Sequence, residues 1–73
     1  MKIYTITHDN HGYDYFLGHT IAANSEDEVR ALAKRASADE GHKAWDDASI
    51  VEEGIYTGDF TEPFIIMSDF NAG

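Results

Sequence analysis

The sequence contains no cysteine, which excludes disulfide bonds and thiolate zinc sites. The absence also fits a reducing compartment, so we expect a cytoplasmic protein. No apolar run approaches the ~20 residues of a membrane-spanning helix, and the first residues lack the pattern of a signal peptide, so we expect no contact with a membrane. Residues 1–73 are predicted to form a single small domain, whose size leaves it marginally stable unless a partner helps.

Basic residues are scarce: there are 5 Lys and Arg against 14 Asp and Glu, and the formal net charge is −9. The segment from Ala44 to Gly73 holds seven of the acids and no Lys or Arg. Such a field repels nucleic acid and attracts basic protein surfaces. We therefore expect no direct nucleic-acid binding and a partner with a basic surface. Acidity that only keeps a small protein in solution is the alternative explanation.

Two segments near the start, residues 2–7 and 13–23, have the β-branched and aromatic alternation of strands. The residues between them tolerate tight turns, which predicts a hairpin closed near residues 10–12. Within the second strand, simple alternation places Phe16 and His19 on opposite faces of the sheet.

Two more strands are predicted at residues 50–58 and 64–68, separated by a turn that contains the only proline. Gly54 interrupts the first of these, where a bulge or a bend is expected, and Gly18 interrupts the second strand of the hairpin, where a bulge is expected. Residues 69–73 are predicted to be a tail.

One helix is clearly marked. Ser25 followed by Glu28 three residues later is a capping box, in which the two side chains satisfy free backbone N–H groups. An apolar stripe at helical spacing begins at Val29. Gly41 is predicted to end either the helix or the turn after it.

The helix also carries a basic patch outside its apolar stripe, formed by Arg30, Lys34 and Arg35. Arg30 is expected to pair with Glu26 one turn earlier. Trp45, in the loop after the helix, is expected to fold back into the core. The order of elements is β-β-α-β-β, which predicts an α+β fold with a four-stranded antiparallel sheet and the helix packed on one face.

Three of the four histidines lie within residues 8–19, which raises the question of a metal site. A hairpin closed near residues 10–12 would place His19 opposite residues 2–4, more than about 10 Å from His8 and His11. We therefore predict no metal site and no cofactor. No nucleophile motif or phosphate-binding loop is present, and so small a sheet leaves little room for an enclosed pocket. We assign no catalytic residue and expect a protein that is not an enzyme.

The chain combines a Gly-Tyr-Asp turn after the first strand, a Ser-plus-acids helix start, a lone Trp and an ending close to Ser-x-Phe-x-Ala-Gly. The residues that carry this pattern are Gly12, Tyr13, Asp14, Ser25, Glu26, Glu28, Trp45, Ser68, Phe70, Ala72 and Gly73. Over nearly its whole length, the chain thereby resembles a group of small phage and prophage proteins. The resemblance implies origin in a mobile element. Small, acidic, cysteine-free phage proteins with a sheet and one helix are similar to anti-CRISPR proteins, which bind Cascade-like effectors where target DNA would lie.

This resemblance implies an inhibitor that binds a basic surface of a host protein or ribonucleoprotein, namely a CRISPR effector, and blocks DNA binding. The candidate partner-binding residues are Asp46, Asp47, Glu52, Glu53, Tyr56, Asp59, Glu62 and Asp69, with Phe60 as a second aromatic anchor. The alternative is a small self-associating phage module that dimerises through an exposed sheet edge. Acids gathered on one face would favour the inhibitor, and scattered acids would favour the module.

Overall fold

The chain forms four antiparallel strands in one sheet and one α-helix, which confirms the predicted α+β class. The structure is a computed structural model and describes residues 1–72, so the predicted role of Gly73 lies outside the described residues. The elements in chain order are β1 (Lys2–Thr7), β2 (Tyr15–Ala23), α1 (Glu26–Arg35), a short 3₁₀ helix (His42–Trp45), β3 (Ser49–Ile55) and β4 (Phe64–Asn71). No helix in residues 1–72 is long and apolar enough to cross a membrane.

The strand order is β3-β1-β2-β4, so the hairpin of β1 and β2 lies in the centre and the two later strands form the edges. The chain leaves β3 at one edge and reaches β4 at the other through the connection at 56–63, which crosses the end of the sheet. This order follows burial, because β1 and β2 hold most of the buried strand residues and the edge strands are largely exposed.

The register of the hairpin differs from the predicted one. His19 lies opposite Ile6, two to four residues from its predicted partners at 2–4, because the loop spans residues 8–14 and does not close near 10–12. The loop is held by β4 and not by a tight turn. Asn71 donates from its side-chain amide to the carbonyl of Gly12 (3.0 Å) and accepts from the backbone N–H of Asp14 (2.6 Å).

Irregular pairing near Gly18 and Gly54 confirms the two predicted bulges. The register of β2 against β4 shifts between Phe16 and Gly18, and the register of β1 against β3 shifts between Ile3 and Tyr4, which lie opposite Gly54 and Glu52. The shift in β2 turns Phe16 toward the same side as His19, and their ring centroids are 4.8 Å apart. The prediction that these two rings lie on opposite faces is therefore wrong, because strict alternation does not survive a bulge.

Strand β4 is longer than predicted, because Asp69, Phe70 and Asn71 belong to it. The prediction of a tail from residue 69 is wrong. The ring of Phe70 packs on that of Phe16, with centroids 4.7 Å apart, and the pairing continues to Tyr15 opposite Asn71. The extension is a long-range effect, since its partners lie more than fifty residues earlier in the chain.

The helix begins where the capping pattern predicts. Ser25 is the N-cap, and its hydroxyl accepts from the backbone N–H of Glu28 at 3.2 Å. The carboxylate of Glu28 accepts from the N–H of Asn24 (2.7 Å), one residue before the expected partner. The helix ends at Arg35, and Gly41 ends the turn that follows, where its φ of 77° suits glycine.

The core lies between α1, the 3₁₀ helix and the central strands. Its fully buried side chains include Ile6, Ile21, Val29 and Trp45, so Trp45 plugs the core as predicted. The predicted pair of Glu26 and Arg30 is not formed, because the Arg30 guanidinium donates to the carbonyls of Trp45 (2.6 Å) and Ala48 (3.1 Å). The 3₁₀ segment is thereby fixed against the helix.

Removal of the cap should destabilise the domain. Ser25→Ala deletes the acceptor for the Glu28 N–H and should lower the free energy of unfolding by about 1 kcal/mol. In a domain of this size this corresponds to a fall of roughly 4–8 °C in melting temperature, measurable by circular dichroism. Ser25→Asp is the matched control, because its carboxylate keeps an acceptor at the positive end of the helix, and it should melt close to the parent. Equal melting of all three proteins would contradict this role.

Candidate protein-binding surface

The helix covers one face of the sheet and leaves the other without a covering element. We call this second face the open face. Strand pairing assigns its positions, because residues directly opposite each other in neighbouring strands project to the same side. The open face consists of Ile3, Thr5, Thr7, Gly18, Thr20, Ala22, Ser49, Val51, Glu53, Gly54, Phe64, Met67 and Asp69.

The middle of the open face is a shallow groove of small side chains between two larger apolar ones. Thr5 and Thr20 lie opposite each other in the central strands, with Val51 beside Thr5 and Met67 beside Thr20. Val51 is 53% exposed and Met67 is 69% exposed. Thr5 and Thr20 are half-buried, and threonine, with a methyl group and a hydroxyl, suits a half-buried sheet surface.

Aromatic rings close one end of the open face. Phe64 lies opposite Ala22, and Ala22 is fully buried although its side carries no helix. The rings of Tyr56 and Phe60 both pack edge-on against Phe64, with centroids 5.2 and 4.9 Å away. The hydroxyl of Tyr56 accepts from the backbone N–H of Phe60 at 3.2 Å. Tyr56 is thus half-buried and structural, whereas Phe60 is exposed.

The seven acids of the base-free segment do not share one face. Glu53 and Asp69 lie on the open face, where Glu53 accepts from the hydroxyl of Thr5 (2.8 Å). Asp59 and Glu62 lie in the connection between the edge strands. Glu52 lies on the helix side, 3.2 Å from the ammonium group of Lys2. The two remaining acids are Asp46 and Asp47, directly after the 3₁₀ helix.

Asp46 is engaged within the molecule. The ammonium group of Lys34 on α1 donates to its carboxylate, and this hydrogen bond holds the pKa of Asp46 below its ordinary value. Because the carboxylate is exposed, the pair adds little to stability. Asp46 and Glu52, both predicted to contact a partner, therefore each already have a cation of their own chain.

The basic patch predicted on the helix is also largely engaged. Arg30 is bonded to two backbone carbonyls and Lys34 to Asp46. Of the other cations, Lys2 projects to the helix side, Arg35 ends α1 and Lys43 lies in the 3₁₀ helix. Throughout residues 1–72, no Lys or Arg occupies a strand position of the open face. The charged side chains on these strand positions are therefore carboxylates alone.

The histidines are closer together than the hairpin argument predicted. His8 and His19 both contact the indole ring of Trp45, with ring centroids at 4.6 and 5.0 Å. The prediction that they lie far apart is wrong, because it depended on the wrong register. His8 Nδ1 accepts from the N–H of Asn10, which leaves its Nε2 to donate to the carbonyl of Phe16 (2.6 Å). In the part of the chain that the structure describes, no three His, Asp or Glu side chains gather as metal ligands.

His19 is buried in an apolar setting. It is 2% exposed, its Nδ1 lies 2.7 Å from the hydroxyl of Ser68, and its Nε2 has no partner. Burial lowers the pKa of His19 below 6.5, with opposition from the Glu40 carboxylate and some support from His8. The imidazole is therefore a neutral core side chain at pH 7.

Glu40 is a structural residue that sequence reasoning missed. One carboxylate oxygen accepts from the indole N–H of Trp45 (2.9 Å), and the other accepts from the backbone N–H groups of Phe16 (3.0 Å) and Ala38 (3.1 Å). A signal was present, because a buried tryptophan needs an acceptor for its N–H and an acid lies five residues earlier. The open face was missed as well, although threonines at 5, 7 and 20 alternate with the core positions.

Comparison with protein-family models, with curated proteins and with solved structures finds no match for this chain. The functional argument therefore starts from the geometry. The geometry describes a small α+β domain with an uncovered, acid-bordered sheet face and an aromatic loop at one end.

The stability of the fold should depend on the protonation of His19. Because the folded-state pKa is lowered, the unfolded chain binds the proton more readily, so this contribution is complete above pH 6.5 and is lost as pH falls. Urea unfolding of the parent should lose stability between pH 7.5 and 5.5, with a slope of at most about 1.4 kcal/mol per pH unit.

Two variants isolate the histidine responsible. His19→Gln removes the titrating group and should flatten the profile over this interval, whatever its own stability. His11→Gln, at an exposed loop position, should keep the slope of the parent. A slope that survives in His19→Gln would assign the pH dependence to another group.

Proposed function

We propose that the protein is a binding protein without catalytic activity, and that its open face docks on a protein surface rich in Lys and Arg. The observation that carries the proposal is the composition of that face. Small threonines occupy its centre, exposed Val51 and Met67 lie beside them on the two edge strands, and its charged residues are Glu53 and Asp69 on the same edge strands. Exposed apolar side chains in the middle row, with charged groups kept to the border, suit a protein interface.

Charge selects the class of partner. The carboxylates at the border of the face and the net charge of −9 oppose a phosphate backbone. They also attract a basic protein surface and raise its association rate. Two copies stacked through this face would instead bring Glu53 and Asp69 into an acidic environment with no cation on either side, which disfavours a face-to-face homodimer.

The resemblance to small acidic phage proteins supports one partner for the first test. A CRISPR effector holds DNA with Lys and Arg side chains, and a rigid acidic surface placed on them would block DNA binding. Under this proposal the protein acts in the host cytoplasm by occupying the site and needs no cofactor. Any DNA-binding host complex with a basic groove would present the same chemistry.

Self-association is the second candidate, favoured by two observations. The seven acids are divided among several parts of the surface, and both edge strands leave backbone groups free to pair. Edge pairing would give a dimer without stacking the open faces. Sedimentation equilibrium at micromolar to millimolar concentration distinguishes the candidates, because a module that works by self-association must be dimeric without a partner.

The test compares two charge-matched double variants. Glu53→Gln with Asp69→Asn removes two carboxylates from the open face, and Asp46→Asn with Glu52→Gln removes two that are paired elsewhere. Binding to a purified CRISPR effector is measured by biolayer interferometry. The Glu53→Gln, Asp69→Asn variant should bind more weakly by about 2–5 kcal/mol if these acids form buried ion pairs with the partner, and the loss should be much smaller if they lie at the rim of the interface. The second should bind like the parent.

Two further measurements complete this test. Met67→Asp should abolish binding to the effector. Its circular dichroism spectrum should stay unchanged, because the side chain of Met67 is exposed in the free protein. Affinity of the parent should fall as salt rises toward ~0.5 M, where the Debye length is only a few ångströms. The proposal would be overturned if binding to the effector were unchanged by Met67→Asp, by Glu53→Gln with Asp69→Asn, and by salt.

A further inference from the structure

The connection between the edge strands forms a concavity beside the open face that is wide open to solvent. It is lined by Asp59, Phe60, Thr61, Glu62, Pro63 and Phe64. We propose that this site binds the guanidinium group of an arginine on the partner protein. The inference rests on the proposed function, which supplies a basic partner, and it adds the anchor residue that the partner would contribute.

The apolar part of the site is provided by two rings and the proline. Phe60 and Phe64 meet edge-to-face with centroids 4.9 Å apart, and Phe60 is 66% exposed. An exposed phenylalanine on a polar loop gains nothing from burial in the free protein. Its free surface is available to a ligand, and rings attract cations over their faces through the aromatic quadrupole.

The site is held in shape before any ligand arrives. The Tyr56 hydroxyl accepts from the backbone N–H of Phe60, and the ring of Tyr56 packs on Phe64. Gly58 permits this arrangement, because the Tyr56 hydroxyl lies where a side chain at position 58 would begin. Preorganisation of this kind lowers the entropic cost of binding.

The charge of the site selects a cation. Asp59 and Glu62 lie at its border, and within residues 1–72 neither carboxylate has a Lys or Arg within ion-pair distance. The connection and both edge strands contain no Lys or Arg. An anionic ligand would be repelled, and an uncharged apolar one would leave the carboxylates without a partner.

Arginine fits better than lysine. The guanidinium group is planar and weakly hydrated, so it stacks on an aromatic face while its N–H groups still reach carboxylates. An ammonium group is compact and strongly hydrated, and it stacks less well. Phe60 with Asp59 and Glu62 offers both of the contacts that a guanidinium makes, a ring face and carboxylate acceptors.

The experiment adds short peptides to the chain of 73 residues. Acetyl-Gly-Arg-Gly-amide is titrated into ¹⁵N-labelled protein, with the citrulline peptide as a neutral control of almost the same shape. We expect the arginine peptide to shift the amide signals of residues 56–64, with a dissociation constant of roughly millimolar size. The lysine peptide should bind more weakly, and the citrulline peptide should produce no shifts at the same concentration.

Variants identify the groups responsible. Phe60→Leu keeps an apolar side chain but removes the ring, and should weaken the arginine peptide about two- to fivefold. Asp59→Asn with Glu62→Gln should weaken it at least as much. The double variant of Asp46→Asn with Glu52→Gln changes the net charge equally and should leave the affinity unchanged apart from a small uniform loss.

Failure of this inference is distinguishable from failure of the proposed function. Equal shifts with the arginine and citrulline peptides, or shifts spread over all acidic segments, would overturn the guanidinium site. If the arginine peptide does not bind while Met67→Asp still abolishes binding to the partner, the open face is the interface and the concave site does not anchor it. If the peptide binds at residues 56–64 as expected, the site stands even when the partner tested is the wrong one.

Discussion

The burial of Trp45 is the interaction on which the rest of the fold depends. The indole contacts His8 from the hairpin loop and His19 from β2, and its N–H is bonded to Glu40, which also binds the backbone of β2. The backbone carbonyl of Trp45 accepts a hydrogen bond from the side chain of Arg30 on the helix. One residue therefore connects the helix to the hairpin loop and to β2. A domain of 73 residues without disulfides has little other apolar volume to exploit.

This arrangement also determines which surface is left free. Three of the five cations are engaged on the helix side of the sheet. Arg30 donates to backbone carbonyls, Lys34 pairs with Asp46, and Lys2 pairs with Glu52. Within residues 1–72, the other face receives no helix and no Lys or Arg at its strand positions. The open face is acidic less because carboxylates are concentrated on it than because the basic residues are paired on the other side of the sheet. The total charge in the sequence does not reveal this difference, because it does not show which charges are neutralised within the molecule.

Local chemistry made part of the structure predictable. The Ser25 cap, the two bulges and the buried tryptophan follow from interactions within a few residues or from one large apolar side chain. The hairpin register and the last residues of β4 do not, because they depend on Asn71 bonding to Gly12 and Asp14 far away in sequence. Of the candidate binding residues, charge alone identified Glu53 and Asp69 but gave no means to separate them from the paired Asp46 and Glu52.

The attachment of β4 to the first hairpin has a consequence for how the chain folds. Residues 64–71 pair with β2, and Asn71 closes a contact that spans 59 positions of the sequence. Closing so long a loop costs entropy before the contact contributes energy. Domains dominated by such pairings fold in milliseconds to seconds, slower than helical bundles. During synthesis, the outer side of β2 therefore stays unpaired until the last strand has left the ribosome.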